Sequence, residues 1–276
     1  MLAREISARD GLRLAIDDYP GDAARLPVLC LAGLLRSGAD FAELAARTAP
    51  RRRVIAPHWR GRGRSARTRD WRSYAPPFLL AELMDVLAAL HVPRAVVIGT
   101  SMGGLVGLGL ATARPGALAG LVLNDIGPEI GGAGLDFVKD LTAHTPAQPD
   151  LASAAGWLRD KLPWLSLTTD EQWQRFARIT FRERDGRWVP DWDPAIARTL
   201  DDPVPDLWPL WRGAARVPLL LVHGEASDIL AAATVARMRK SRPDMAVATL
   251  PGIGHAPTLS EPRAAAAIDR FLEALP

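Results

Sequence analysis

The chain has 276 residues, 48% hydrophobic and 24% charged, a globular balance that excludes a disordered or collagen-like polymer. Its lone cysteine, Cys30, excludes an internal disulfide and a zinc site built from several thiolates. The net charge of +3 hides an asymmetry: residues 51–72 carry nine arginines and one acid, Asp70, a local +8 that leaves −5 on the rest.

The N-terminal pieces Arg4–Ser7 and Leu12–Asp17 alternate polar and apolar residues, which predicts an antiparallel hairpin at a sheet edge. Six continuous apolar runs follow: Pro27–Ala32, Arg53–Pro57, Ala95–Gly99, Leu118–Asn124, Pro218–Val222 and Met245–Leu250. Continuous rather than alternating hydrophobicity predicts strands covered on both faces, as in a parallel sheet. Between and after them, Phe41–Ala49, Phe78–His91, Met102–Ala113, Ala231–Lys240 and Glu261–Leu275 have helical patterns, with Asp40 and Ser260 at expected N-caps. Alternating strands and helices predict a doubly wound, mostly parallel α/β sheet.

The alternation breaks between residues 127 and 213, which hold seven of the nine tryptophans and no strand-like run. Asp150–Lys161 and Thr169–Thr180 read there as amphipathic helices. The expected organisation is a core in two parts, 1–126 and 214–276, interrupted by a helical cap over 127–213. Most of the tryptophans would pack this cap on the core, and one or two would line a pocket.

Gly99-Thr-Ser101-Met-Gly103-Gly104 follows a strand and opens a helix, the context that a G-x-S-x-G turn requires. A sharp turn there strains the serine backbone and holds its hydroxyl at a helix N-terminus, where N–H groups favour a developing anion. Such a serine needs a base. His255 lies on the loop Pro251-Gly-Ile-Gly-His-Ala-Pro, after the last strand. His223, on a strand, reads as a core residue, and His58, His91 and His144 as structural or exposed. The base needs an orienting carboxylate between serine and histidine in chain order. Asp228, in His223-Gly-Glu-Ala-Ser-Asp, is the expected acid; Asp125, ending the strand Leu118–Asn124, is its rival, and Glu225 lies too near the strand end. The backbone N–H groups of Leu34, after Ala32-Gly33, and of Met102 are the expected oxyanion donors. Arg36 beside them could meet a substrate carboxylate, although a surface role is favoured.

These residues resemble the α/β-hydrolase superfamily along essentially the whole chain. Arg60-Gly-Arg-Gly-Arg-Ser65 is similar to the family's R-G-x-G-x-S turn, and the run from Gly252 to Pro262 to its histidine loop. Two positions depart: Ala32-Gly33 stands where the family reads His-Gly, and His58 where it has an aspartate. The resemblance implies a serine hydrolase of small carboxylic esters or lactones that forms an acyl-enzyme on Ser101 and uses no cofactor or metal. The alternatives are a C–C bond hydrolase of the meta-cleavage type and a non-enzymatic ligand-binding protein of the same fold. Ala256 weighs against the former, since those enzymes carry an aromatic residue after the histidine.

The resemblance also assigns the arginine-rich turn to structure rather than to a nucleic-acid surface. Arginine outnumbers lysine 31 to 3, which points to a GC-rich genome rather than to a polyanionic partner. Gly61–Ala66 fits G-x-G-x-x-A, but it is not in a first βα unit, so no dinucleotide site is expected. The N-terminus lacks a basic segment followed by an apolar run, and no apolar stretch of about 18 residues occurs. A small-molecule substrate, no membrane partner and a cytoplasmic location are therefore expected.

Overall fold

Eight of the ten strands in the computed structural model, which describes residues 1–276, form one sheet. In chain order they are β1 (Leu2–Ser7), β2 (Arg13–Tyr19), β3 (Val28–Leu31), β4 (Val54–Pro57), β5 (Ala95–Thr100), β6 (Leu118–Asn124), β9 (Leu219–Gly224) and β10 (Ala246–Leu250). Their order across the sheet is β1-β2-β4-β3-β5-β6-β9-β10. The β1–β2 hairpin is antiparallel and occupies one edge, and β2 joins β4 antiparallel. The other six strands run parallel. Every residue of β3, β4, β6 and β9 is buried, so helices cover both faces, as the continuous apolar runs require.

The covering helices are α1 (Ala42–Thr48), α2 (Pro76–Ala89), α3 (Met102–Ala113), α8 (Ala232–Ser241) and α9 (Pro262–Glu273). Helix α3 is apolar nearly all round, and it is buried among β3, β5 and β6. Neither expected N-cap forms. Helix α1 starts from Phe41, after a 3₁₀ turn capped by Ser37, and Asp40 instead pairs with Arg36. Helix α9 starts from Glu261 with Pro262 in its first turn, and the Ser260 hydroxyl donates to Glu43. Each side chain is engaged elsewhere, Asp40 by a residue four positions earlier and Ser260 by Glu43 on α1.

Between β6 and β9 the chain leaves the sheet for α4 (Gly132–His144), α5 (Leu151–Lys161), α6 (Asp170–Thr180) and α7 (Trp208–Gly213). It also contains an antiparallel hairpin, β7 (Phe181–Arg184) and β8 (Arg187–Pro190), where no strand was expected. Asp185-Gly186 makes the turn with φ of 51° and 73°, so a D-G hairpin signal stood in the sequence between two four-residue strands. Trp173 and Phe181, with Trp157 and Trp188 against them, build a small apolar cluster in this insertion; Trp211 on α7 joins the main core.

The arginine-rich stretch is used inside the molecule. Arg52 donates to the carbonyls of Leu272 and Leu275 at the C-terminal end of α9, each at 2.6 Å. Arg53 grips Asp18, and Arg60 sits between Glu82 at 2.6 Å and Asp10 at 2.8 Å. Burial pushes the Glu82 carboxyl up to about 7, and its second oxygen has no hydrogen-bond partner. No helix is long and apolar enough to cross a membrane.

Candidate active site

At the C-terminal end of β5, Ser101 takes φ 51° and ψ −119°, a strained conformation for a residue with a side chain. It is held from two sides: its N–H donates to Asn124 O at 3.0 Å, and its own carbonyl starts the hydrogen bonding of α3. Gly103 explains the next small position. A Cβ there would fall 2.1 Å from the carbonyl oxygen of Leu31, so only glycine lets the first turn of α3 press against the end of β3. That contact brings Met102 beside the loop Ala32-Gly33-Leu34. A Cβ on Gly33 would lie 3.7 Å from Ser101 Cβ, so the loop reaches the serine.

His255 completes the arrangement. Its Nε2 is 3.0 Å from Ser101 Oγ, and its Nδ1 is 2.9 Å from Asp125 Oδ2. A carboxylate only accepts, so Nδ1 carries the proton toward Asp125 and Nε2 presents a lone pair to the serine hydroxyl. Asp125 is fully buried, and its other oxygen accepts the Gly224 N–H at 2.9 Å. The histidine loop is fastened around this centre. Asn124 Nδ2 donates to Pro257 O at 2.8 Å, and Trp164 Nε1 donates to the carbonyl of His255 at 2.9 Å.

The carboxylate at His255 is therefore Asp125 and not Asp228, which corrects the expected acid. Asp125 follows β6 directly, next to the strand that carries Ser101, and the histidine loop crosses above it through Asn124. Asp228 sits beyond a turn in which the Ser227 hydroxyl accepts the N–H groups of Ile229 and Leu230. Its exposed side chain has no hydrogen-bond partner and lies on the wall of the cavity. The sequence contained both acids in permitted chain order; only their placement in space separates them.

The two expected oxyanion donors are Leu34, which lines the cavity with Ser101, and Met102, the residue after Ser101. The Leu34 N–H has no acceptor in the protein, and Met102 opens α3, where helical N–H groups are unpaired. Among the other histidines, buried His58 pairs with Asp17 at 3.1 Å, and His223 Nε2 donates to Leu230 O at 3.0 Å. His144 bonds Asp140 on the surface, and His91 is exposed at the end of α2.

A cavity of about 560 Å³ opens over Ser101 and His255. Its walls are mainly apolar, with Phe137, Leu141, Trp164, Phe176 and Ile179 contributed by the insertion. Trp164 is the one tryptophan on these walls. Arg36 also reaches the cavity, but its guanidinium is engaged: Asp40 lies at 2.6 Å, the Thr180 hydroxyl bonds it, and the Phe176 ring lies 4.2 Å beneath it. The sequence offered no local signal for Trp164 or Asn124, because each acts through a main-chain carbonyl far along the chain.

Residues 28–268 match the model of the alpha/beta hydrolase family. The chain is 30% identical over 271 residues to a 3-hydroxybutyrate-oligomer hydrolase of Cupriavidus necator, covering 94% of this chain and 92% of that protein. It is 28% identical over 228 residues to a 2-(acetamidomethylene)succinate hydrolase of Mesorhizobium japonicum, covering 81% and 79%. The crystal structure of an alpha/beta hydrolase from Novosphingobium aromaticivorans superposes with a TM-score of 0.93 at 41% identity, over 99% of this chain and 98% of that one. Sheet order, strained serine turn, histidine loop and these likenesses agree: the chain belongs to the alpha/beta hydrolase family.

Proposed function

We propose that the chain is a serine hydrolase of small carboxylic esters or lactones, with Ser101 as nucleophile, His255 as general base and Asp125 as its orienting acid. The observation that carries this reading is the continuous path of two hydrogen bonds, Asp125 to His255 at 2.9 Å and His255 to Ser101 at 3.0 Å. His255 Nε2 takes the Ser101 proton as Oγ attacks the carbonyl carbon. The buried Asp125 carboxylate stabilises the imidazolium that forms. The N–H groups of Leu34 and Met102 receive the oxyanion, each worth roughly 3 kcal/mol of barrier. The imidazolium returns its proton to the leaving alcohol. Water then attacks the acyl-enzyme, with His255 again as base, and releases the acid and Ser101.

The insertion between β6 and β9 acts as the cap, and its apolar wall selects the acyl and alcohol groups. The cavity volume suits a small ligand rather than a polymer segment. The name of the Cupriavidus necator relative directs attention to short hydroxyalkanoate esters, so an oligomer of 3-hydroxybutyrate belongs in the first substrate panel. The decisive experiment is reaction with a serine-directed fluorophosphonate, followed by p-nitrophenyl esters of increasing acyl length, a 3-hydroxybutyrate oligomer, lactones and a meta-cleavage dienoate. Labelling at Ser101 with ester or lactone turnover is the expected result. An unlabelled wild type, or turnover of the dienoate alone, would overturn the assignment.

A further inference from the structure

Arg62, in the middle of the arginine-rich turn, is 1% exposed and has no carboxylate partner. Its Nε donates to the carbonyl of Leu34 at 2.6 Å and its Nη1 to that of Arg60 at 2.8 Å. Nη2 lies 4.0 Å from Met102 Sδ, and the guanidinium stands 5.6 Å from the centre of the Tyr74 ring. One buried cation thus touches both residues whose N–H groups are assigned to the oxyanion. Burial lowers its pKa to about 10, with Tyr74, Glu82 and Asp193 nearby offsetting only part of that cost, and the guanidinium stays charged at neutral pH.

The turn holds the oxyanion loop at two points. Fully buried Trp59 donates its indole N–H to Ala32 O at 2.9 Å, on one side of the Gly33–Leu34 peptide, and Arg62 holds Leu34 O on the other. The carbonyl of that peptide, Gly33 O, accepts the Arg36 N–H at 3.2 Å. In a planar trans peptide the N–H points opposite the carbonyl, so the Leu34 N–H is directed away from Arg36 and left without an acceptor. The insertion seals the turn from above: Gly63 N–H donates to Asp191 O at 3.0 Å, and Asp193 N–H to Gly61 O at 2.8 Å.

Arg52 is the instructive contrast. It too is buried and bonded to carbonyls, but those carbonyls end helix α9, where the aligned peptide dipoles supply negative potential. No helix C-terminus compensates Arg62. An unpaired buried charge is costly, and a neutral donor could brace a single carbonyl at less expense. A cation at this place is most favourable when negative charge develops nearby.

We infer that Arg62 is a positioning residue of the reaction: it fixes the Leu34 peptide for the oxyanion and contributes to that anion a positive charge that no direct ion pair engages. The inference rests on the reading of Ser101 as nucleophile. Arg62→Met removes the charge and both hydrogen bonds, and Arg62→Lys keeps a charge without the fork. Each is compared with wild type and Ser101→Ala on p-nitrophenyl butyrate, with phenylboronic acid as the tetrahedral anion mimic and thermal unfolding as the check of fold.

The expected result for Arg62→Met is a kcat about 100-fold lower with KM within about threefold, and boronate affinity falling in parallel with kcat. Arg62→Lys should fall between it and wild type. A kcat within about threefold of wild type in Arg62→Met, or a loss confined to KM, overturns the inference while leaving the nucleophile assignment intact. Unfolding of both variants overturns it as well, by reducing Arg62 to a stability residue. A wild type without turnover, or turnover retained in Ser101→Ala, removes the assignment of the nucleophile and this inference with it.

Discussion

The sheet and the insertion are built differently. The sheet and its helices share one apolar cluster of 54 buried residues, and Ser101, Asp125 and His255 all stand at its strand ends or on the loops just beyond them. The insertion has clusters of only six and four buried residues, the second shared with Leu35 and Tyr74 of the core. The reacting groups are therefore set by a large, rigid core, whereas the cavity wall depends on docking contacts such as Trp164 to His255 O and Tyr74 to Asp193. Chemistry that tolerates little displacement sits on the stiffer part, and shape selection sits on the part that is held mainly from outside.

Ser101→Ala should test the rigid side most severely, lowering ester turnover by about a millionfold with the unfolding midpoint unchanged. Retained turnover would move the chemistry off the sheet. Next, Asp125→Asn should cost about 10⁴-fold in kcat, because the amide favours the wrong histidine tautomer. Asp228→Asn should cost less than about tenfold, and steady-state kinetics of the pair decides between the two acids. The opposite ranking would return the acid to the loop after β9.

Trp173→Ala empties the centre of the insertion's own cluster and should cost it about 3–5 kcal/mol locally. Hydrogen exchange should then speed up across α5, α6 and the hairpin while the sheet stays protected. Equal loss of protection in β5 and β6 would mean that the two regions unfold as one. Trp164→Phe keeps an aromatic wall but removes the bond to His255 O, worth about 1 kcal/mol, so kcat should fall about fivefold.

The effect furthest from the chemistry is a pH dependence inside the core. The Glu82 carboxyl titrates near 7 when folded, above its ordinary range, so its protonated form favours the folded state. That contribution is fully present below the unfolded pKa and is lost as pH rises through about 7. Glu82→Gln, neutral at all pH, should therefore gain thermal stability relative to wild type between pH 5 and pH 8, by roughly 2 kcal/mol. A difference that stays flat across that range would show that Arg60 keeps the carboxylate charged throughout.

The linear pattern carried far. Continuous apolar runs marked all six parallel strands, because a strand covered on both faces has no solvent side to encode. The serine turn and the histidine loop were readable because their glycines and their order along the chain are local properties. The hairpin in the insertion was missed because its strands are only four residues long and form no continuous apolar run, and Asp40 and Ser260 were misread as caps because other side chains, Arg36 and Glu43, engage them. The amino-acid sequence alone thus determined the fold and singled out the serine and histidine proposed as nucleophile and base. Tertiary structure decided which acid meets that histidine, since Asp125 and Asp228 both follow strands, and a hydrogen bond of 2.9 Å depends on their separation in space. It also decided what the arginines do. Charge counting registers a local +8, whereas burial turns Arg52 into a helix cap, Arg60 into an ion pair and Arg62 into a brace on the Leu34 carbonyl.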